Sequence, residues 1–181
     1  MFNPSERFGI DPEYFNNIQD TWHNLWLIKN PTLRAIRHKI LYKDIWTMEK
    51  RYRLGIANDN KCTICGEIET VFHQLFKCRN AVKLWQVFKD LVKIDLPATE
   101  LDYAKLISVS NDYIAETIKA CIFKLLIQID RSVEITNNQI KRYISYWLTV
   151  EYKSLIKTYK GNNSQSRRLT CVLDCLNRES C

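Results

Sequence analysis

The most informative motif is Cys62-Thr63-Ile64-Cys65-Gly66, which is followed by His73 and then Cys78. These residues form the array C-x2-C-x7-H-x4-C within 17 residues. Three thiols and one imidazole are a standard ligand set for tetrahedral Zn²⁺. A C-x2-C turn brings two thiolates to one ion, and Gly66 allows the backbone to fold back beneath the sulfurs. The spacing therefore predicts one zinc ion bound by Cys62, Cys65, His73 and Cys78.

The predicted zinc site is structural, because protein ligands fill all four positions and leave no place for a reactive water. Three thiolates and a neutral imidazole give the site a net charge of −1, which the adjacent basic residues Lys61, Lys77 and Arg79 can offset. Two alternatives stay open at this stage. The cysteines could be buried thiols beside an unrelated histidine, or a redox-active C-x-x-C, although no thioredoxin-like βαβ pattern surrounds them.

Composition favours a helical protein in a reducing compartment. The chain of 181 residues has only 4 Gly and 4 Pro, so few residues interrupt regular structure, and the glycines lie too far apart for a phosphate-binding loop. Seven cysteines are an odd number, and the N-terminus does not resemble a signal peptide. The most apolar stretch is too short to span a bilayer. We expect a soluble, intracellular protein with free or metal-bound thiols.

Apolar periodicity predicts a mainly α-helical fold in which the zinc knuckle joins two helices and a C-terminal helical bundle follows. Thr47 is the expected N-cap of a short basic helix that ends at Gly55, and Asn111 is the expected N-cap of a long buried helix. Three parts are predicted: an N-terminal helix within 1–30, basic helices plus the zinc module at 31–95, and a helical region at 96–181.

Positive charge is concentrated in two blocks. The net charge is +7, and residues 31–61 and 141–181 each contain eight basic and three acidic residues. Clustered basic segments are typical of nucleic-acid-binding proteins, although a solvated helix surface has the same composition. Tyr52 could stack on a base. The candidate nucleic-acid contacts are Arg34, Arg37, Lys39, Lys43, Lys50, Arg51, Tyr52, Arg53, Lys61, Lys77 and Arg79. A second candidate stripe is Lys141, Arg142, Lys153, Lys157 and Lys160, with Tyr146 and Tyr152.

The stretch from Trp22 to Phe88 resembles the zinc-binding (CCHC) domain at the C-terminal end of non-LTR retrotransposon reverse transcriptases. Besides the four zinc ligands, the residues that carry this resemblance are Trp26-Leu27, Pro31, Ile40-Leu41-Tyr42, Ile45, Gly55-Ile56, Glu67-Ile68-Glu69-Thr70, Leu75-Phe76, Ala81 and Leu84-Trp85. The resemblance implies a segment downstream of the polymerase that helps a ribonucleoprotein to hold template RNA or target DNA. Its expected partners are RNA or DNA and the polymerase part of a parent polyprotein, in the nucleus or in a cytoplasmic ribonucleoprotein.

The sequence predicts no catalytic residues. Polymerase chemistry needs an Asp-Asp pair for Mg²⁺, and the chain has no Asp-Asp dipeptide. Glu151-Tyr152-Lys153 is a Glu-x-Lys element of the kind found in nucleases of some relatives, but the accompanying Pro-Asp is absent. The expected function is therefore a non-catalytic nucleic-acid-binding zinc module. The alternative is a zinc-stabilised protein-interaction domain, retained as a host or effector protein, that binds no nucleic acid.

Overall fold

The structure is a computed structural model that describes residues 25–92, 107, 112–128, 133–159 and 163–178. The predicted helix within 1–30 falls almost entirely outside these residues. The described part is helical, without a strand, as predicted. Its helices are α1 (Pro31–Leu41), α2 (Met48–Arg53), a π-helical turn (His73–Lys77), α3 (Arg79–Val92), α4 (Tyr113–Gln128), α5 (Asn137–Tyr159) and α6 (Ser164–Arg178).

Short polar side chains begin the two basic helices. The Asn30 side chain accepts hydrogen bonds from the N–H groups of Thr32 and Leu33, and Pro31 occupies the first helical position of α1. At α2 the predicted cap is confirmed, because Thr47 Oγ1 accepts from Lys50 N at 3.0 Å. Gly55 follows α2 with a φ of 70°, a conformation that favours glycine.

The core is organised around α4, which packs against α1, α3, α5, α6 and the π-helical turn. An aromatic cluster of Phe76, Trp85, Phe88 and Phe123 joins the zinc module to this helix, with the Trp85 and Phe123 ring centroids 5.2 Å apart. The segments on either side of residue 95 therefore share one hydrophobic core. The proposed division into three parts remains a prediction.

Arg37 is the main departure from the predicted basic face. Its side chain is fully buried: Nε is paired with Glu116 of α4, and Nη2 donates to Ile107 O at 2.9 Å. The expectation that Arg37 contacts phosphate is therefore wrong. The reason is its position on α1, since Leu33 and Leu41 lie one turn before and after it and both are buried.

Glu151 connects α5 to the beginning of α1. Its buried carboxylate accepts hydrogen bonds from Lys29 N at 2.7 Å, Asn30 N at 2.6 Å and the Tyr113 hydroxyl at 2.7 Å. These three hydrogen bonds give the Glu151 carboxylate a structural role. Lys153, the other member of the Glu-x-Lys element, is exposed.

The C-terminal helices have their own caps. Asp112 caps α4 by accepting from the N–H groups of Ile114 and Ala115, and it also pairs with Arg168 of α6 at 3.0 Å. The predicted cap Asn111 lies outside the described residues. Thr136 caps α5, because its Oγ1 accepts from Gln139 N at 3.3 Å. Among the described residues, no helix is long and apolar enough to cross a membrane.

Candidate metal centre and basic surface

The first two metal ligands lie in a tight loop between residues 61 and 68. An antiparallel bridge pairs Lys61 with Ile68, and two backbone hydrogen bonds close the loop: Cys62 N to Glu67 O at 2.7 Å and Gly66 N to Cys62 O at 2.8 Å. Gly66 has a φ of 75°, which few other residues adopt. The loop thus turns the Cys62 and Cys65 side chains toward the same point.

The other two ligands come from the π-helical turn. Thr70 caps the helical segment that begins at Val71 and leads into this turn, because its Oγ1 accepts from His73 N at 3.0 Å. The N–H of Cys78 then bonds to His73 O, five residues back, at 2.8 Å. This hydrogen bond fixes Cys78 relative to His73 at the end of the helix, where the sequence spacing predicted it. Helical structure here begins at Val71, and its last five residues, His73–Lys77, are π-helical.

The four ligand atoms converge, lying within 4.8 Å of one another. Cys78 Sγ lies 3.8 Å from Cys62 Sγ and 3.9 Å from Cys65 Sγ. Tetrahedral coordination with Zn–S bonds of about 2.3 Å places two sulfurs about 3.8 Å apart. The sulfur positions therefore fit one tetrahedral ion, and these separations are much too long for disulfides.

His73 is oriented toward the thiols through its Nε2 atom. Nδ1 lies 3.1 Å from Glu67 Oε2, which accounts for one ring nitrogen. Nε2 is buried without a hydrogen-bonding partner in the structure, although buried polar atoms normally have one. A zinc ion bound by Nε2 supplies that partner, and a carboxylate on the opposite nitrogen is the usual way to orient a metal-binding imidazole.

The environment of Cys78 favours the neutral thiol when no cation is bound. Its thiol pKa is raised to about 12, firstly by burial and also by the neighbouring Cys62 and Cys65 sulfurs, while a hydrogen bond from the backbone of Asn80 opposes this. Three thiolates at these distances need a positive ion to remain deprotonated, so metal binding must release protons. Asn80 itself is buried and bonded to Val133 O and Ile135 N, which connects the site to the segment before α5.

Among the described residues, this is the sole cluster of three or more metal-ligating side chains. Cys121 is buried in α4, and Cys171 and Cys175 are exposed thiols on α6. His38 is exposed, as expected for a residue outside the metal site, while His23 and Cys181 fall outside the described residues. Cys62, Cys65, His73 and Cys78 thus form a site for one structural zinc ion.

Glu69 connects this zinc site to the basic helix α2, a role that sequence reasoning missed. Its buried carboxylate accepts from Met48 N at 2.8 Å, and its carbonyl oxygen accepts from Glu49 N at 3.3 Å. Glu69 N in turn donates to Asn60 O at 2.8 Å, beside the start of the zinc loop. The sequence signal was an acidic residue between two metal ligands, but no local pattern shows that its partner lies 21 residues away.

Ten of the eleven predicted nucleic-acid contacts lie at least partly on the surface. Arg34 and Lys50 are half-buried, whereas Arg37 is buried as described above. The exposed ones are Lys39, Lys43, Arg51, Tyr52, Arg53, Lys61, Lys77 and Arg79. In the second stripe Arg142, Lys153, Lys157 and Tyr146 are exposed, and Lys160 falls outside the described residues.

Two adjoining grooves lie along α1, and the second extends to Lys50 of α2. The first, of about 520 Å³, is lined by Leu25, Trp26, Pro31, Arg34, Ala35, His38, Lys39 and Asp44. The second, of about 310 Å³, is lined by His38, Lys39, Tyr42, Lys43, Asp44 and Lys50. They share three residues and form one surface, called here the α1–α2 groove. The sequence predicts the basic residues of this groove as nucleic-acid contacts. It does not predict Trp26 as one, because the exposure of Trp26 depends on the tertiary structure.

The protein is a helical zinc-binding module. Its Cys3His site fixes a knuckle between helices, and the residues beside this site hold the basic helix α2. Residues 12–85 match the family model described as zinc-binding in reverse transcriptase. This part of the chain is therefore similar to a reverse-transcriptase-related zinc-binding domain, as the sequence resemblance implied. The match covers all four ligands, α1, α2 and the first half of α3. No curated protein and no solved structure matches the chain.

Proposed function

We propose that this protein is a non-catalytic nucleic-acid-binding module in which structural zinc positions basic helices against RNA or DNA phosphates. The observation that carries the proposal is the connection through Glu69. The loop that supplies metal ligands also holds the first backbone N–H groups of α2, which bears Lys50, Arg51 and Arg53. Folding of the loop around zinc would therefore order the basic helix.

Charge and exposure support phosphate contact from α2 and the end of α1. Arg51, Arg53 and Lys39 are exposed, and Tyr52 between the two arginines is 50% exposed. Cations on one surface neutralise phosphates and release counterions, which makes binding strong at low salt and weak at high salt. The family match to a zinc-binding domain, rather than to a polymerase, supports a binding role without chemistry.

The cellular setting is part of the same proposal. Within the described residues all six cysteines are free of disulfides, which fits a reducing compartment. We place the protein in an intracellular ribonucleoprotein, nuclear or cytoplasmic, with RNA or DNA as its main partner. The polymerase part of a parent polyprotein is the second partner in this proposal.

The experiment is a charge-reversal comparison on zinc-loaded protein. One variant changes Lys39, Arg51 and Arg53 to Glu, and a matched control changes Arg142, Lys153 and Lys157 to Glu; all six side chains are exposed. Arg37 is left intact, because its reversal would place two carboxylates in the core beside each other. Binding to labelled RNA and DNA is measured by fluorescence anisotropy across a series of salt concentrations.

Loss of binding in the α1–α2 variant, together with a salt slope reduced by about 0.7 to 0.9 for each lost phosphate contact, is the expected result. The control should bind nearly as well as the unmodified protein. Equal loss in both variants would show that net charge alone matters. If the unmodified protein binds neither nucleic acid, the proposal fails and the protein-interaction alternative takes its place.

A further inference from the structure

We propose that the α1–α2 groove binds single-stranded nucleic acid by stacking an unpaired base on Trp26. This inference rests on the proposed function and specifies the form of nucleic acid that the surface selects. It is carried by Trp26, whose large apolar ring is 61% exposed at one end of the groove.

The Trp26 ring is held in place by a cation. The Arg34 guanidinium carbon lies 4.1 Å from the ring centroid, and Arg34 Nη1 donates to Ile28 O at 3.1 Å. Arg34 is thus fixed against one face of the indole by both contacts. Because the guanidinium covers one face of the indole, a base would stack on the opposite face. The tryptophan is therefore an oriented platform rather than a freely rotating side chain.

Further rings and cations lie in or beside the groove. His38 and Tyr42 line it and stack with ring centroids 4.3 Å apart. Lys50 also lines it, and its Nζ lies 4.9 Å from the ring centroid of Trp46, which is 48% exposed but is not a lining residue. Lys39 and Lys43, both exposed, line the same surface. Aromatic platforms interleaved with cations are the pattern that binds single strands, since bases stack and phosphates pair.

One acidic side chain, Asp44, also lines the groove. It lies 3.6 Å from Lys50 Nζ, so its charge is partly compensated. A carboxylate repels phosphate but accepts hydrogen bonds from base amino groups, which only an unpaired base or a groove edge offers. Duplexes hide their base faces within the stack, so they cannot use Trp26 in this way. The groove chemistry therefore favours a single strand over a duplex.

The test compares a labelled unstructured oligonucleotide of 20 nucleotides, as RNA and as DNA, with the corresponding duplexes. Zinc-loaded protein carrying Trp26→Ala is measured beside Trp26→Phe, which retains a ring, and beside Tyr159→Ala. Tyr159, the last residue of α5, is 48% exposed and has Lys29 Nζ 5.3 Å from its ring centroid, but it does not line the groove, so it controls for loss of a surface aromatic beside a cation. Circular dichroism and zinc content verify that each variant is folded.

Trp26→Ala should weaken single-strand binding about fivefold or more, the lower end expected for one stacked base, and change duplex binding less than about twofold. Trp26→Phe should restore most of the affinity, and Tyr159→Ala should have little effect. Equal effects of Trp26→Ala on both forms, or none on either, overturn the inference. If Lys39, Arg51 and Arg53 reversal still abolishes binding in that case, the proposed function survives and only the stacking site is lost.

Discussion

Replacing Glu116 by Gln should destabilise the protein far more than the same change at Glu134. Glu116 lies in the core between Arg37 of α1 and Lys119 of α4, and Lys119 Nζ is 2.8 Å from its Oε2. The side chains of Arg37, Glu116 and Lys119 are 0%, 0% and 4% exposed. Glutamine keeps the shape of glutamate but removes the charge that both cations share.

The magnitude follows from burial. Breaking a buried ion pair by removing one partner costs about 3–5 kcal/mol of unfolding free energy, because a charge is left uncompensated. Burial already lowers the pKa of the Lys119 ammonium, so Lys119 can lose its proton, whereas Arg37 cannot. With a urea m value of about 2 kcal/mol/M, the unfolding midpoint should fall by about 1.5–2.5 M.

The assay is urea denaturation of zinc-loaded protein, followed by circular dichroism. Glu134→Gln is the matched control: Glu134 pairs with Lys83 at 2.6 Å, but the two side chains are 49% and 40% exposed, so its loss should barely move the midpoint. Adding Arg37→Met to Glu116→Gln should recover stability, because it removes the stranded guanidinium. Similar unfolding midpoints for Glu116→Gln and Glu134→Gln would show that the buried carboxylate stabilises the fold no more than the exposed one.

The remaining predictions concern hydrogen bonds between segments. Glu151→Ala should lower the unfolding free energy by about 3 kcal/mol or more, because three buried donors lose their acceptor; a loss below about 1 kcal/mol in urea denaturation would contradict it. Burial, and then the Glu151 carboxylate, raise the pKa of Tyr113 above 10, so its contribution is complete below pH 10 and is lost as pH rises further. The stability advantage over Tyr113→Phe should therefore shrink as pH rises from 10 to 11, and a constant difference would argue against it. Glu69→Ala should weaken oligonucleotide binding while zinc content stays near one equivalent; unchanged binding would show that α2 does not depend on the zinc loop.

The zinc site could be predicted from the sequence because its ligands are local. Cys62, Cys65, His73 and Cys78 lie within one loop and one helical turn, so spacing alone constrains their geometry. The same holds for Thr47, whose cap acts within four residues. Helical fold class followed from scarce Gly and Pro and from apolar periodicity, which local sequence also controls.

What could not be predicted depends on distant partners. Arginine is rarely buried, so the sequence predicts Arg37 at the surface. The residue that compensates its charge in the core, Glu116, lies 79 residues away. The apolar positions of Leu33 and Leu41 placed Arg37 on the buried face, yet no local pattern identified the compensating charge. Glu69 and Glu151 were missed for the same reason, since their hydrogen-bonding partners lie 21 and 122 residues away.

Cys62, Cys65, His73 and Cys78 form the site for one structural zinc ion. The most direct test of this site is the metal content of purified protein by mass spectrometry, with thermal unfolding measured on the same samples. We predict one zinc per chain in the unmodified protein and in Cys171→Ser, whose thiol is exposed on α6. Cys78→Ser should lose most of the metal and unfold at a lower temperature. A metal-free protein with full helicity and an unchanged unfolding temperature would show that these residues hold no structural zinc ion.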